Sequence, residues 1–224
     1  MALLIPHWQA LTPETRRAFR IAAALPFIQR YYLAGGTGLA LHLGHRFSVD
    51  LGFFASDPDA VGPDERSALR VAFEDPTLAI GFDKDMTFVA NWRGVGISFF
   101  RLALYPLTQE PLLLEGVPVA AIEEIGAMKL AAIMSRGTRK DYIDLYFILQ
   151  QTPLERLFEV AAVKYAPVRT FAVSAVRALT YFADAETTPM PQMIQRTSWP
   201  AIKRFLEQQA LAAGRQRLED LWSE

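Results

Sequence analysis

A chain of 224 residues can bury one good core, or one core with a helical appendage, so a compact unit of two lobes is expected. Its 51% hydrophobic and 21% charged residues are ordinary globular values, and a formal net charge of −1 gives no global pull on a polyanion, so any nucleic-acid contact needs a local basic patch. The absence of cysteine excludes disulfides, thiolate metal sites and thiol nucleophiles; with no leader-like start and no run of about twenty apolar residues, the expected setting is cytoplasmic, without a membrane.

In chain order, Thr12 followed by Pro13 predicts an N-cap and a first helical residue, and "RRAFRIAAALPF" keeps helical apolar spacing to Pro26. "YYLAGG" predicts a short buried strand ending in two glycines, and "TGLALHLGHR" a helix capped by Thr37. In "SVDLGFF" the alternation sets Val49, Leu51 and Phe53 on one face and Asp50, Gly52 and Phe54 on the other. "DPDAVGPDER" is a turn into a short helix, "RSALRVAFED". Asp83 and Asp85 read as turn residues ahead of two strands, "MTFVANW" and "GVGISFFRLALYP", joined in a hairpin at Arg93 and Gly94. From "VPVAAIEEIGAMKLAAIM" onward the period is helical, with a break at Gly137 and a proline-bearing loop at "DAETTPMPQMIQRTSWP", while "TSWPAIKRF" reads as the cap and aromatic anchor of the last helix. The class is α+β: an α/β lobe over 1–118 and a helical lobe over 119–224.

A strand, then Gly35-Gly36-Thr37, then a helix gathers backbone N–H groups at the positive end of that helix, which suits a phosphate or simply a tight turn. Phosphoryl transfer with two metal ions needs several carboxylates at the same edge. Asp50 supplies one, but Gly52 stands where an Asp-x-Asp pair would carry its second. The strand around Val95–Ala103 has no carboxylate either; Ser98 lies about where one would be sought. Arg46 is near enough in sequence to reach a triphosphate. Lys129, on the apolar helix "AMKLAAIM", either snorkels to the surface or addresses a phosphate. Arg136, Arg139 and Lys140 form either a solvated basic turn or a phosphate or RNA patch. Asp141 and Asp144, three apart on one helix face, are helix-start charges or a site acid with its support. His42, His45 and the distant His7 offer no zinc set.

Gly35-Gly36-Thr37, residues 38–49 and then Asp50-Leu51 resemble the signature of the polymerase-β-type nucleotidyltransferase fold. Together with "KLAAIMSRGTRKDYIDLYFIL" and "MPQMIQRTSWPAIKRFLEQQA", the text from about Tyr32 to Ala210 resembles the AbiEii/AbiGii toxin family of nucleotidyltransferases. The resemblance implies a small mixed sheet with flanking helices followed by a helical lobe. It implies a toxin of a toxin–antitoxin or phage-defence pair that binds a nucleoside triphosphate and transfers a nucleotidyl group to a hydroxyl acceptor such as tRNA. Carried over by position, Gly35, Gly36, Thr37, Arg46, Arg136 and Lys140 would hold the nucleotide. Asp50, Lys129 and Asp141 would be catalytic, and Asp50 and Asp144 would ligate Mg²⁺. The partners implied are a nucleoside triphosphate, a cognate antitoxin protein and tRNA on the local basic patch. Gly52 breaks the pattern, and beside the enzyme stands a second expectation: a catalytically impaired pseudoenzyme serving as a nucleotide- or protein-binding module.

Overall fold

The computed structural model describes residues 2–223, with side chains described as far as Gln216. The chain divides into two compact units, Met1–Ala121 and Ile122–Glu224. In the first, α1 (Pro13–Ala23) starts as its sequence predicts: the Thr15 amide donates to the Thr12 hydroxyl at 3.1 Å, with Pro13 in the first turn. Such a cap contributes about 1 kcal/mol.

Seven strands form one sheet: β1 (Tyr32–Ala34), β2 (Leu51–Ala55), β3 (Ala79–Lys84), β4 (Thr87–Trp92), β5 (Val95–Arg101), β6 (Leu112–Leu114) and β7 (Val117–Val119), ordered β3-β4-β5-β2-β1-β7-β6. The β2–β5 and β1–β7 pairings are parallel and the others antiparallel, so the sheet is mixed. Two helices interrupt the strands in sequence, α2 (Gly35–Leu43) after β1 and α3 (Pro63–Ala72) after β2.

The β3–β4, β4–β5 and β6–β7 hairpins turn on residue pairs with positive φ: Asp85 and Met86 (50° and 66°), Arg93 and Gly94 (52° and 79°), Glu115 and Gly116 (46° and 84°). A left-handed pair of this kind matches the twist of the flanking strands. Only the middle hairpin is predicted from sequence. Asp83 is not a turn residue but lies in β3, where its carboxylate pairs with Arg66 at 2.8 Å and with Arg70, both from α3. Val117–Val119, expected to open the helical stretch, instead form β7, the second strand of a hairpin with β6 that also pairs with β1 through Leu33 and Val119.

Alternation along β2 and β5 decides which face is which. Leu51, Phe53, Ala55, Val95, Ile97 and Phe99 are buried in one hydrophobic cluster with Phe19, Leu69 and Phe73. Burying each large apolar side chain stabilises the fold by about 1.5–3 kcal/mol. Val49, expected on that face, precedes the strand and is 40% exposed. The opposite face carries Gly52, Phe54, Gly96, Ser98 and Phe100, all half-buried.

The second unit is helical: α4 (Ile122–Ser135), α5 (Arg139–Ile148), α6 (Leu154–Lys164), α7 (Phe171–Ala178), α8 (Ala183–Glu186) and α9 (Trp199–Ser223). Its centre is α4, whose Ile125, Ala127, Leu130 and Ile133 are buried. Gly126 permits a close approach of α6, since a Cβ there would come within 2.6 Å of Leu157 Cδ2. Glu124 Oε1 and Lys164 Nζ pair at 2.7 Å between the same two helices, both side chains fully buried. Trp199 anchors the start of α9 as expected: its Nε1 donates to Glu186 Oε1 at 3.0 Å, and its ring packs edge-on against Tyr142 and Phe182. Among the described residues no helix is long and apolar enough to cross a membrane.

Candidate functional site

The predicted site residues fall into two groups, one in each unit. The first gathers at the junction of β1, α2 and β2. Two glycines open α2 for different reasons. Gly35 has φ +68° with nothing within 4 Å of an added Cβ, so its conformation demands glycine. Gly36 makes room for Arg46, since an added Cβ would push Arg46 Nη2 aside and would lie 3.4 Å from Ser48 Oγ. Arg46 is only 3% exposed and donates from Nη1 to the Phe47 carbonyl at 3.0 Å. Ala34 precedes the helix and offers no side-chain cap. The start of α2 thus has no side-chain cap and lies beside a guanidinium, an arrangement that favours an anion.

Thr37 is not the N-cap that the sequence suggests. It lies inside α2, and its buried hydroxyl donates to the Asp50 carbonyl and lies 2.8 Å from Ser48 Oγ. That spends the side chain on holding the start of β2. Neither His42 nor His45 joins the group as a ligand: His42 Nε2 bonds the Ala120 carbonyl at 2.9 Å, and His45 is fully buried.

Asp50 is exposed and immediately precedes β2. Its carboxylate rests over Gly96 of β5, where a Cβ would come within 2.5 Å of Asp50 Oδ1. One rung along, Gly52 lies between Ala34 and Ser98. The next outward residue is Phe54, whose ring stacks between Tyr32 and Phe100 at centroid distances of 5.8 and 5.5 Å. The Phe54 ring edge also leans back over Gly52, 3.3 Å from the position of a Cβ. Where a second acid would project, this face presents glycine, a hydroxyl and an aromatic edge.

The second group lies at the α4–α5 corner. Lys129 Nζ is 3.0 Å from Asp141 Oδ1 and 2.6 Å from Asp144 Oδ2. Arg136 grips Asp141 with two nitrogens, Nε to Oδ2 at 3.1 Å and Nη2 to Oδ1 at 3.2 Å. Thr138, the residue before α5, donates from its hydroxyl to Asp141 Oδ2 at 2.7 Å. Both aspartates are fully buried and Lys129 is 5% exposed. Burial pushes the Asp141 carboxyl up, but the Lys129 ammonium, the Arg136 guanidinium and the Thr138 hydroxyl outweigh it and hold it below the usual range. Bonding to Asp141 raises Arg136 in turn. Two acids here meet two cations. Lys140 stands apart, exposed on the first turn of α5.

The donor set limits the metal that this chain's residues fit. Among the described residues no three His, Cys, Asp or Glu side chains form a metal-holding group. Asp50 in its notch over Gly96 fits one cation whose remaining ligands come from phosphate oxygens and water. A two-ion cage does not fit, because Gly52 and Ser98 add no charge and Asp144 is already paired with Lys129. Sequence reasoning missed Ser48, Gly96, Phe54 and Thr138. Only Gly96 left a signal, a glycine inside a strand pattern, which marks a close approach.

With this geometry in place, comparisons with known proteins decide the lineage. The profile of the nucleotidyl transferase AbiEii toxins of type IV toxin–antitoxin systems matches residues 17–222. The chain belongs to that family. AbiEii-family nucleotidyltransferases generally use a divalent metal. An uncharacterized protein of Aquifex aeolicus (strain VF5) is 30% identical over 207 residues, spanning 88% of this chain and 98% of that one. Among solved structures, the fold is similar to that of MenT4, a nucleotidyltransferase toxin of Mycobacterium tuberculosis H37Rv, with TM-score 0.60, 18% identity, and coverage of 88% of this chain and 82% of that one. It is also similar to JHP933 of Helicobacter pylori, with TM-score 0.52, 18% identity and 96% of each chain covered. The AbiEii family and its neighbours thus share the mixed sheet and helices described above.

Proposed function

We propose that this AbiEii-family chain binds a nucleoside triphosphate with its phosphates on the first turn of α2, and transfers a nucleotidyl group to a hydroxyl acceptor such as tRNA in the cytoplasm. The observation that carries this is the uncapped start of α2 at Gly35 and Gly36, backed by Arg46 and tied through Thr37 to Asp50. The amides and Arg46 hold phosphate oxygens, and Asp50 holds a Mg²⁺ ion that neutralises phosphate charge. In the transfer a bond forms between the acceptor oxygen and the α-phosphorus, and the bond from that phosphorus to pyrophosphate breaks. The acceptor hydroxyl gives up its proton to water as its oxygen bonds to phosphorus. Asp141 is held below its usual range and is a weak base at neutral pH. Its part, with Asp144, is to fix the buried Lys129 ammonium, which leaves the exposed Lys140 to supply positive charge for phosphates or RNA.

A second reading has its own observation. The Phe54 ring lies over Gly52, the position of the missing acid, which favours a pseudoenzyme that binds nucleotide or an antitoxin partner without turnover. Incubating the protein with each labelled nucleoside triphosphate, Mg²⁺ and bulk tRNA separates the two. Incorporation that Asp50→Asn removes supports the enzyme; triphosphate binding without incorporation supports the module.

A further inference from the structure

Asp50, just before β2, is the exposed carboxylate of the site, and a hydrogen bond on its backbone and a glycine beneath its carboxylate set where it lies. On its backbone, Thr37 reaches from α2 to donate to the Asp50 carbonyl, and Ser48 Oγ lies 2.8 Å from Thr37 Oγ1. Thr37 Oγ1 is in donating reach of both the Asp50 carbonyl and the Ser48 hydroxyl and shares its single proton between them. Both side chains are buried, Thr37 at 1% and Ser48 at 7% exposure, so bulk water does not compete. On its carboxylate, Gly96 of β5 leaves a notch that any Cβ would fill. Ser48 also lies 3.4 Å from the Cβ position of Gly36, and so abuts the turn that receives phosphate.

We infer that Ser48 acting through Thr37, together with Gly96, positions the Asp50 carboxylate relative to the first turn of α2, so that a cation and a triphosphate bind there as one unit. The inference rests on the phosphate site proposed above and adds positioning residues to it. Its physical basis is that α2 and β2 are joined at this point by side-chain hydroxyls rather than by a backbone ladder. Loosening the joint leaves the amides in place but lets the carboxylate wander from the shared ion. Loss of an outer partner of this kind typically weakens metal affinity by about 10- to 100-fold.

Calorimetric titration of the whole protein with inorganic tripolyphosphate, with EDTA or with Mn²⁺, tests this without requiring turnover or a choice of base. In the wild type Mn²⁺ should tighten tripolyphosphate binding. Ser48→Ala, Thr37→Val and Gly96→Ala should each cut that gain by about 10-fold while changing the EDTA affinity less than about twofold. Thr37→Ser keeps the hydroxyl and should restore the gain, which a purely structural defect would not allow. Variants that keep the full Mn²⁺ gain overturn the positioning role and leave the phosphate site standing. Equal losses in EDTA and Mn²⁺ also overturn it, because they reduce Ser48 and Gly96 to fold maintenance. A wild type that binds tripolyphosphate with no gain from Mn²⁺ sinks the inference alone; a wild type that binds none sinks the proposed function with it.

Discussion

The two charged groups use the same chemistry to opposite ends. In the second unit Lys129, Arg136, Asp141 and Asp144 satisfy one another, and three of the four side chains are buried. In the first unit Asp50 is exposed, and the hydrogen bond that holds its residue ends on its carbonyl and leaves the carboxylate alone. A saturated cluster holds helices in register, whereas an exposed, unsaturated carboxylate is available for a ligand. The contrast teaches that an acidic residue's place in a family motif does not settle whether it is free to act.

The sharpest way to break the contrast is to open the saturated group. Lys129→Met leaves two buried carboxylates without their shared ammonium and should cost about 3–5 kcal/mol, read as a lower urea midpoint at unchanged slope. Adding Asp141→Asn and Asp144→Asn should recover part of that loss. A loss below about 1 kcal/mol for Lys129→Met would mean that the cluster does not bear this load. Next in size, Asp50→Asn should leave the urea midpoint nearly unchanged while lowering transfer by about 100-fold, the scale of losing one charge-stabilising group. A large fall in stability in that variant would erase the distinction between the two regions.

A smaller effect sharpens the account of the missing acid. Gly52→Asp alone should raise Mn²⁺ affinity less than Gly52→Asp with Phe54→Ala, because the Phe54 edge must first move aside. A gain of about tenfold in the double variant is the expectation for an added carboxylate. Equal affinities in the two variants would show that Phe54 does not obstruct position 52. Smallest is a pH effect at Arg136. A carboxyl held low in the folded state stabilises above the ordinary aspartate value, about pH 4, and loses that contribution as pH falls through its folded value. Arg136 has a side chain 65% exposed, so solvent screening limits Arg136→Gln to about 0.5 kcal/mol at pH 7. The difference between variant and wild type should shrink as pH falls below the ordinary aspartate range, and a constant gap would remove Asp141 as its cause.

What the sequence made legible was local. Thr12 with Pro13, and Arg93 with Gly94, carry their signals within a few residues, and both features stand as predicted. The Asp85–Met86 turn has the same left-handed geometry but no glycine to announce it, and β3 went unread with it. Thr37 is no cap although a threonine before a helical pattern is a familiar one, because its real acceptor, the Asp50 carbonyl, lies beyond the helix, just before β2. Apolar neighbours around Lys129 left open whether it reached solvent. Only folding brings Asp141 and Asp144 from the next helix to enclose it. The missing second acid was visible at once in Gly52; the aromatic ring that leans over it was not.

The parallel pairings of the sheet also set an order in time. Hairpins β3–β4 and β4–β5 join neighbouring segments and can form as soon as those segments exist. The β2–β5 contact, which lays Ser98 beside Gly52 and brings Gly96 beneath Asp50, must wait for a far later stretch of chain. The β1–β7 contact, Leu33 with Val119, waits longer still. During synthesis, therefore, the nascent chain carries the glycine turn and Asp50 well before it has a floor on which to seat them, and their arrangement is complete only after nearly the whole first unit has left the ribosome.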